Sequence, residues 1–340
     1  MKALFLTKHG NSSDAFEQRE MPDVMPTSHQ VQIDVEGFGI NFADVLARKG
    51  LYPDMPPLPC VLGYEVVGRI SMLGKEVRGL AIGTRVVAFT RFGGYASKAC
   101  TDYRAVVEMG EEMPAGEALA LATQYSTAYY CMFEAIRLHI GDKVLVHSAA
   151  GGVGIALCQL AKHLGCEVYA TAGSESKLEF LRSQGIHHVF NYSYPDYADR
   201  IKTALKGARL DATFNAIAGK SIKSDYALLG SGGRLVIFGA ASRVGGGKGI
   251  ISGLNLLFQS GFFTPLKLLM ASKSLVGVNI LRISDNKPEI LASCMASVVA
   301  LAKAGTVKPH VFKEFGVQEL SKAHDALENR STIGKVAVVF

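Results

Sequence analysis

One stretch in the middle of the chain constrains the fold most, because a glycine cluster there separates an apolar run from a helix-like run. The stretch reads KVLVHSAAGGVGIALCQLAK, residues 143–162. It places Gly151 and Gly154 in the last two glycine positions of a G-x-G-x-x-G loop, with Ala149 in the first. The second glycine lets the backbone approach a pyrophosphate, and the third lets the helix pack closely on its strand. The stretch therefore predicts a phosphate-binding turn, with an ordinary tight turn as the alternative.

Alternating apolar and helix-like runs surround this loop from about residue 123 to residue 274. Apolar runs such as EVYATAG and GRLVIFGA alternate with runs of helical spacing such as ESKLEFLRSQG. This order is typical of a doubly wound parallel sheet of the Rossmann type. Residues 1–122 differ, because Gly and Pro punctuate their short apolar runs, as in an antiparallel β unit. The pattern predicts an α/β protein with two domains.

The end of the second strand bears on which dinucleotide the loop would hold. NAD-binding enzymes usually place Asp or Glu there, on the ribose 2′-hydroxyl. Here the strand ends at Gly173 and Ser174, and Lys177 follows within one helical turn. A lysine at this position can pair with a 2′-phosphate, although the nearby Glu175 favours the opposite choice. The charges therefore predict NADPH rather than NADH, with a solvated role for Lys177 as the alternative.

Composition narrows the function classes. The 340 residues carry a formal net charge of +6 without basic clusters, so no nucleic-acid partner is expected. The six cysteines include no C-x-x-C pair. We therefore expect reduced thiols in the cytoplasm rather than a zinc ribbon or a disulfide framework. The apolar stretch Gly249–Ser272 is long enough for a membrane span, but Pro265 and Lys267 interrupt it, which favours packed helices or an interface.

The motifs together resemble the medium-chain dehydrogenase/reductase superfamily, in its zinc-free quinone oxidoreductase (zeta-crystallin) branch. GDKVLVHSAAGGVGIALCQLAK matches the signature of that branch, and GINFADVLARKGLYPDMPPLPCVLGYEVVGRI resembles its active-site segment. The form NFADVLARKGLY, with PPLP and a later KPH, is most similar to the vesicle amine transport protein homologues. The resemblance implies a GroES-like catalytic domain of residues 1–122 and 275–340. It also implies an inserted Rossmann domain of residues 123–274, and a homodimer.

Zinc-dependent relatives use a Cys, a GHE motif and a second Cys at the catalytic metal. At the matching positions this chain has Asn41, Tyr64 and Thr123. Zinc prefers thiolate, imidazole or carboxylate ligands, so these residue types do not form a plausible set. The four-cysteine structural lobe is also missing, since only Cys100 lies in that region. The sequence therefore predicts no metal.

Without a Lewis acid, reduction of a quinone or an α,β-unsaturated carbonyl is favoured over alcohol oxidation, because the arriving charge delocalises onto an oxygen. Hydrogen-bond donors can stabilise that oxygen. Asn41 could hold the nicotinamide ribose or the substrate oxygen. Tyr52 and Tyr64 could donate a phenolic proton or line the pocket that binds the acceptor. The alternatives are that Tyr52 only shapes its loop and that Tyr64 is a packing residue.

The resemblance also implies a set of cofactor contacts spread over several loops. In chain order the set is Asn41, Ala150, Gly151, Gly152, Val153, Gly154, Gly173, Ser174, Lys177, Tyr192, Gly239 and Val278. Tyr192 would flank the adenosine phosphate, and Gly239 and Val278 would lie near the nicotinamide. A glycine after a parallel strand is often only the turn, which stays the alternative for Gly239.

Three functions follow as hypotheses. The first is NADPH-dependent reduction of a small-molecule quinone or enone. The second is reduction of an enoyl thioester. The third is a cofactor-binding protein whose main role is contact with membranes or partners; the vesicle-protein resemblance and the apolar segment Gly249–Ser272 keep this one open. No Ser/His/Asp or paired-carboxylate pattern supports hydrolysis.

Overall fold

The computed structural model describes residues 1–243 and 258–340. They form two compact units, one of Met1–Ser126 with Ile280–Phe340 and the other of Thr127–Asn279. The domain boundaries expected from the sequence, at 122/123 and 274/275, stay predictions.

The strands are numbered in chain order. They are β1 (Lys2–Leu6), β2 (Phe16–Glu20), β3 (Gln30–Ile40), β4 (Cys60–Val61), β5 (Glu65–Leu73), β6 (Arg85–Phe89), β7 (Lys98–Asp102), β8 (Val106–Glu108), β9 (Lys143–Val146), β10 (Glu167–Ala172), β11 (His188–Asn191), β12 (Leu210–Asn215), β13 (Leu229–Ile237), β14 (Ser274–Gly277), β15 (Val311–Gly316) and β16 (Lys335–Val339).

Helices connect these strands. The α-helices are Ser12–Ala15, Phe42–Arg48, Ala115–Ala120, Ser126–Tyr129, Gly152–His163, Glu175–Ser183, Tyr197–Ala204, Lys220–Leu228, Pro265–Ala271, Ile280–Asn286, Pro288–Lys303 and Leu320–Glu328. Short 3-10 turns cover Tyr103–Ala105, Ala241–Arg243 and Val317–Glu319, and π-helical turns cover Leu121–Tyr125 and Tyr130–Glu134.

The first unit is built on a seven-stranded sheet with the order β15-β16-β3-β5-β6-β8, in which β7 also pairs with β3. Its strand pairs are antiparallel except β15 with β16. A smaller sheet has the order β2-β1-β4. Apolar side chains of β3 and β5, such as Ile33, Phe38 and Val66, are fully buried and form the core. The antiparallel β unit expected from the sequence is therefore present.

The second unit contains a six-stranded sheet with the order β11-β10-β9-β12-β13-β14, and all its strand pairs are parallel. The doubly wound parallel sheet predicted from the sequence is confirmed. Buried Leu145, Tyr169, Leu210 and Leu235 belong to one apolar cluster that packs helices onto it. A fully buried aliphatic side chain of this kind contributes about 1.5–3 kcal/mol to folding. This core holds the carboxyl ends of the parallel strands in fixed places.

The apolar stretch predicted at Gly249–Ser272 is only partly described, since residues 244–257 lie outside the described residues. Its later part contains the helix Pro265–Ala271, which Thr264 caps by accepting a hydrogen bond from Lys267 N. Within residues 1–243 and 258–340, no helix combines the length and the apolar character needed to cross a bilayer.

Candidate active site

The glycine loop follows β9 and leads directly into the helix Gly152–His163. Ser148 has φ +51°, and Gly151 N donates to Ser148 O at 2.8 Å, which closes a tight turn. Gly151 is the N-cap residue, and no side chain among the described residues caps this helix. The first N–H groups of a helix have no partner within it, and the helix dipole favours negative charge there. The turn therefore ends in backbone donors suited to a phosphate.

Different steric constraints explain why each position of the loop is occupied by a glycine or an alanine. A Cβ on Gly154 would lie 2.3 Å from Ser148 O and 2.6 Å from Ala149 Cα, so only glycine fits there. Among the described residues, a Cβ on Gly151 would meet only Ser148 O, at 3.2 Å. Ala149 and Ala150 are buried, and Ala149 N donates to Thr171 O at 2.9 Å. An alanine in the first glycine position is therefore accommodated, because its methyl group faces the interior.

Gly173, at the tip directly after β10, lies against Tyr192, directly after the neighbouring strand β11. A Cβ on Gly173 would come within 2.5 Å of Tyr192 Oη, so the Tyr192 ring covers Gly173. Ser193 Oγ donates to Gly173 O at 3.1 Å, and Tyr192 N donates to Ala172 O at 3.1 Å. The structure thus brings together Gly173 and Tyr192, two of the predicted cofactor residues.

The charged residues after this tip are on the helix Glu175–Ser183, whose N-cap is Ser174. Glu175 pairs with Arg182 at 2.7 Å, which offsets the carboxylate that argued for NADH in the sequence. Lys177 is half-buried in the first turn of the same helix. The local charge at the strand tip is therefore compatible with a 2′-phosphate.

Two further predicted residues follow β13 and β14. Gly239 packs against the backbone after β12, since a Cβ on it would lie 2.8 Å from Ala216 O. Val278 is buried, and its N donates to Ile237 O at 2.9 Å. Like the glycine loop and Tyr192, these residues follow the carboxyl ends of parallel strands. Ligands of open α/β sheets bind at that edge.

In the first unit, Asn41 begins the helix Phe42–Arg48 with a capping box, in which Asn41 N donates to Asp44 Oδ2 at 2.8 Å. The Asn41 side chain is buried, and its Nδ2 donates to both carboxylate oxygens of Glu65 at 2.8 Å. Its Oδ1 accepts from Lys335 Nζ at 3.3 Å and from Gln124 Nε2 at 3.4 Å. Both ends of the amide are therefore engaged by protein groups, and its contact with ribose or substrate stays a prediction.

Glu65 and Lys335 form a fully buried ion pair beside this amide. Thr123 donates to the second carboxylate oxygen of Glu65 from the π-helical turn Leu121–Tyr125. A side chain at Gly39 would collide with both charged groups, because its Cβ would lie 1.8 Å from Glu65 Oε1. Single π turns are frequent at functional sites, and this one directs both Thr123 and Gln124 into the cluster.

Sequence reasoning gave no role to Glu65, Lys335, Gln124 or Asp44. Glu65 and Lys335 are charged residues inside otherwise apolar strand segments, LGYEVVG and GKVAVV. A charged residue is almost never fully buried unless it is paired, so such a position is a signal of a buried partner.

The two predicted tyrosines meet edge to face, with ring centroids 6.2 Å apart and an interplanar angle of 76°. The Tyr64 hydroxyl is buried and makes no hydrogen bond of ordinary geometry among the described residues, and the Tyr52 phenol lies near enough to affect its pKa. Burial raises the pKa of Tyr64 far above its ordinary value, and it also raises the pKa of the half-buried Tyr52. Burial likewise raises the pKa of Asp44 to about 8. Tyr64 therefore stays protonated and can donate a hydrogen bond.

The donor chemistry around Asn41 does not fit zinc. The groups are the amides of Asn41 and Gln124, the Thr123 hydroxyl, the Asp44 carboxyl and the Glu65 carboxylate, which already binds an ammonium group. Zinc sites use thiolates, imidazoles and carboxylates in sets of three or four. Among residues 1–243 and 258–340 no group of three or more such side chains is arranged to hold a metal ion.

A parallel sheet with its glycine loop in one unit and an antiparallel β unit in the other define a class of dinucleotide-dependent oxidoreductases with GroES-like and Rossmann domains. Family models agree with this class. "Alcohol dehydrogenase GroES-like domain" matches residues 27–128, and "Zinc-binding dehydrogenase" matches residues 152–296. The predicted fold class is confirmed in both parts.

Whole-chain relatives identify the branch. The chain is 31% identical over 342 residues to the synaptic vesicle membrane protein VAT-1 homolog of Homo sapiens, covering 100% of this chain and 86% of the relative. It is 30% identical over 341 residues to the quinone oxidoreductase of Rattus norvegicus, covering 100% and 98%. The chain belongs to the quinone oxidoreductase and VAT-1 homolog branch of the medium-chain dehydrogenases/reductases, as the sequence motifs predicted.

Solved structures agree with this assignment. The Escherichia coli quinone oxidoreductase complexed with NADPH has a TM-score of 0.85 at 26% identity, with 100% of both chains covered. The CurK enoyl reductase has a TM-score of 0.86 at 27% identity, covering 99% of this chain and 98% of that one.

Proposed function

We propose that this protein is an NADPH-dependent oxidoreductase that reduces a quinone or an α,β-unsaturated carbonyl compound without zinc. The observation that carries the proposal is the helix after the glycine loop, whose N-terminus no side chain of the described residues caps, together with the strand β10, which ends without an acidic residue. The E. coli relative whose structure contains NADPH supports the choice of cofactor.

The second unit has the features needed to hold the cofactor. The backbone from Gly151 to Gly154 would bind the pyrophosphate, and Lys177 would pair with the 2′-phosphate. Tyr192 would flank the adenosine phosphate, while Gly239 and Val278 would lie near the nicotinamide. When bound, NADPH supplies a hydride, and the protein contributes position and electrostatics.

The first unit supplies a candidate hydrogen-bond donor for the acceptor. A quinone or enone gains negative charge on its oxygen during reduction, and a positioned donor stabilises that charge. Tyr64 is suited to this role because burial keeps its phenol protonated and its hydroxyl makes no hydrogen bond of ordinary geometry among the described residues. Tyr52, whose ring packs edge to face on Tyr64, would wall the acceptor pocket.

Changing Tyr64→Phe tests this role. Because the hydroxyl is buried and has no hydrogen-bond partner of ordinary geometry within residues 1–243 and 258–340, its removal is expected to leave the melting temperature unchanged or slightly raised. We expect kcat to fall about 100-fold, since removing one hydrogen-bond donor to a developing oxyanion typically costs about 10²- to 10³-fold. Steady-state kinetics with a quinone and an enone measure the effect. An unchanged kcat with both acceptors would assign Tyr64 to packing.

Changing Lys177→Ala tests the choice of cofactor. The lost cation is expected to raise the Kd for NADPH about 10-fold, equivalent to roughly 1.4 kcal/mol, and to leave the Kd for NADH unchanged. Lys202→Ala, at an exposed position on the helix Tyr197–Ala204, is the control and should change neither value. The assignment of Lys177 is wrong if both cofactors weaken equally.

A substrate panel decides between the enzyme hypotheses. Purified protein is mixed with NADPH or NADH and with a quinone, a simple enone or an enoyl thioester, and cofactor oxidation is followed by the loss of the absorbance of the reduced nicotinamide. We expect turnover with NADPH and a quinone or enone. Preferred turnover of the thioester would favour the enoyl reductase alternative, which the similarity to CurK supports. No oxidation with any acceptor, and no thermal protection by NADPH, would overturn the proposal.

A second candidate function is contact with a membrane surface, and one observation favours it. Large apolar side chains of the segment 258–270 are exposed, from 60% for Phe258 to 80% for Met270. Lys267 lies among them, so the segment is both apolar and basic. Flotation with anionic liposomes, comparing wild type with Leu269→Glu, tests this, and protein that stays at the bottom of the gradient removes it. Localisation in the cytoplasm and a homodimeric state remain our expectations.

A further inference from the structure

A buried polar network lies directly behind the glycine loop in the second unit. Its members are His147, Thr171, Asn215, Ser221 and Asp225, and none is more than 8% exposed. They come from the ends of three adjacent strands, β9, β10 and β12, and from the helix Lys220–Leu228. No step of the proposed reaction uses them.

His147 immediately precedes the loop and is held from both sides. Its Nε2 lies 2.7 Å from Asp225 Oδ1, and its Nδ1 lies 3.1 Å from Thr171 Oγ1. An ionised carboxylate only accepts hydrogen bonds, so Nε2 carries the hydrogen. Nδ1 can then accept from the Thr171 hydroxyl. This arrangement fixes the imidazole, and with it the backbone where β9 enters the turn.

Asn215 extends the network to two further loops. Its Nδ2 donates to Asp225 Oδ2 at 2.6 Å and to Ser221 Oγ at 2.9 Å. Its Oδ1 accepts from the backbone N of Ile217 and of Ala218, both at 2.8 Å. These contacts shape the turn after β12, in which Ala218 has φ +62°.

The turn after β12 in turn supports the loop after β13. Phe238 N donates to Asn215 O at 3.0 Å, and Ala241 N donates to Ala216 O at 3.1 Å. Gly239, a predicted cofactor residue, lies between these two contacts and packs on Ala216. Asp225 is therefore connected, through His147 and Asn215, to the loops after β9, β12 and β13.

The network does not form a nucleophilic triad. Ser221 Oγ donates to Ala218 O at 2.9 Å and contacts Asn215 rather than His147. The fully buried Asp225 carboxylate adds little net stability by itself, because the cost of its desolvation offsets much of the electrostatic attraction that it gains. Its directional hydrogen bonds instead define one geometry for the groups around it.

We infer that Asp225 is a positioning residue for NADPH: it fixes His147 and Asn215, and through them the loops that receive the pyrophosphate and the nicotinamide. The inference rests on the proposed NADPH binding. Displacement of a binding loop by about 1 Å can reduce function by roughly 100-fold, so loss of this anchor should weaken the cofactor rather than only the fold.

The test compares three variants by NADPH fluorescence enhancement or calorimetry, since the chain has no tryptophan to report binding. Asp225→Ala is expected to raise the Kd for NADPH about 10-fold or more, with a smaller change in kcat at saturating NADPH. Asp225→Asn should restore the Kd to within about threefold of wild type. Its carbonyl can accept from Asn215, and its amide can donate to Nε2 once the imidazole proton moves to Nδ1 and donates to Thr171.

Leu228→Ala is the matched control, because Leu228 is buried on the same helix without a polar contact to the network. It should lower the melting temperature yet keep the Kd within about twofold of wild type, since its cost is a cavity. If Asp225→Ala does not fold, Thr171→Val in the Asp225→Asn background replaces it and should cancel the rescue. An unchanged Kd in Asp225→Ala, or equal weakening in Leu228→Ala, would overturn the inference. If the wild-type protein did not bind NADPH, that result would instead contradict the proposed function.

Discussion

Replacing Lys335 with methionine is expected to lower the free energy of unfolding by about 3–5 kcal/mol, because it leaves a buried carboxylate without its counter-charge. Glu65 and Lys335 are both 0% exposed, and their ion pair lies in the core of the first unit. Methionine nearly preserves the volume, so the loss reflects charge rather than a cavity. Equilibrium urea unfolding of the variant and of wild type measures the difference.

The double variant Glu65→Gln with Lys335→Met separates charge from packing. With both charges gone, most of the lost stability should return, because an apolar or neutral replacement of a buried ion pair is often nearly neutral. Lys322→Met is the surface control, since that lysine is 74% exposed and should change stability by less than about 0.5 kcal/mol. If Lys335→Met lowered the free energy of unfolding as little as Lys322→Met, the buried ion pair would not contribute the stability proposed for it.

The same variants bear on activity through Asn41. Its amide contacts both members of the ion pair, and it begins the helix Phe42–Arg48. In the zinc-dependent relatives, as the sequence comparison implies, the position of Asn41 belongs to a metal ligand. In this protein the Lys335 ammonium group and the Glu65 carboxylate hold the Asn41 side chain instead, and their opposite charges offset each other. The double variant should therefore fold but position Asn41 poorly.

The fold could be predicted largely from the sequence because its signals are local. The strand, glycine turn and helix around Gly154 are contiguous, and the repeated alternation of short apolar runs with helix-like runs leaves few topologies other than a parallel sheet. The role of the third glycine was also predictable, because the close packing around Gly154 is what the glycine pattern leads one to expect at that position.

The buried partners could not be predicted because they are distant in sequence. Lys335 and Glu65 are 270 residues apart, and Asp225 and His147 are 78 apart. The apolar segments around Glu65 and Lys335 signal that each charge has a buried partner, but only the three-dimensional structure shows which residue that partner is. Asn41 illustrates the consequence, because its residue type suggested a ligand contact while its hydrogen bonds are made within the protein.

Changing Gly154→Ala should weaken cofactor binding strongly, raising the Kd for NADPH by about 100-fold or more. The added Cβ would lie 2.3 Å from Ser148 O and 2.6 Å from Ala149 Cα, and both contacts are with backbone that cannot rotate away. The helix must therefore shift from the turn, which moves the backbone donors away from the pyrophosphate. Overpacking of this kind also lowers stability by about 1–3 kcal/mol.

Gly151→Ala is the informative comparison, because within the described part of the chain its Cβ would meet only Ser148 O, at 3.2 Å. It should change the melting temperature little, yet it places a methyl group at the position where the backbone is expected to approach the phosphate. Calorimetry with NADPH on both variants therefore separates the two glycines: Gly154→Ala loses stability and affinity together, and Gly151→Ala loses affinity alone. Normal affinity in Gly154→Ala would mean that the loop is a structural turn, since no phosphate contact could survive that displacement unchanged.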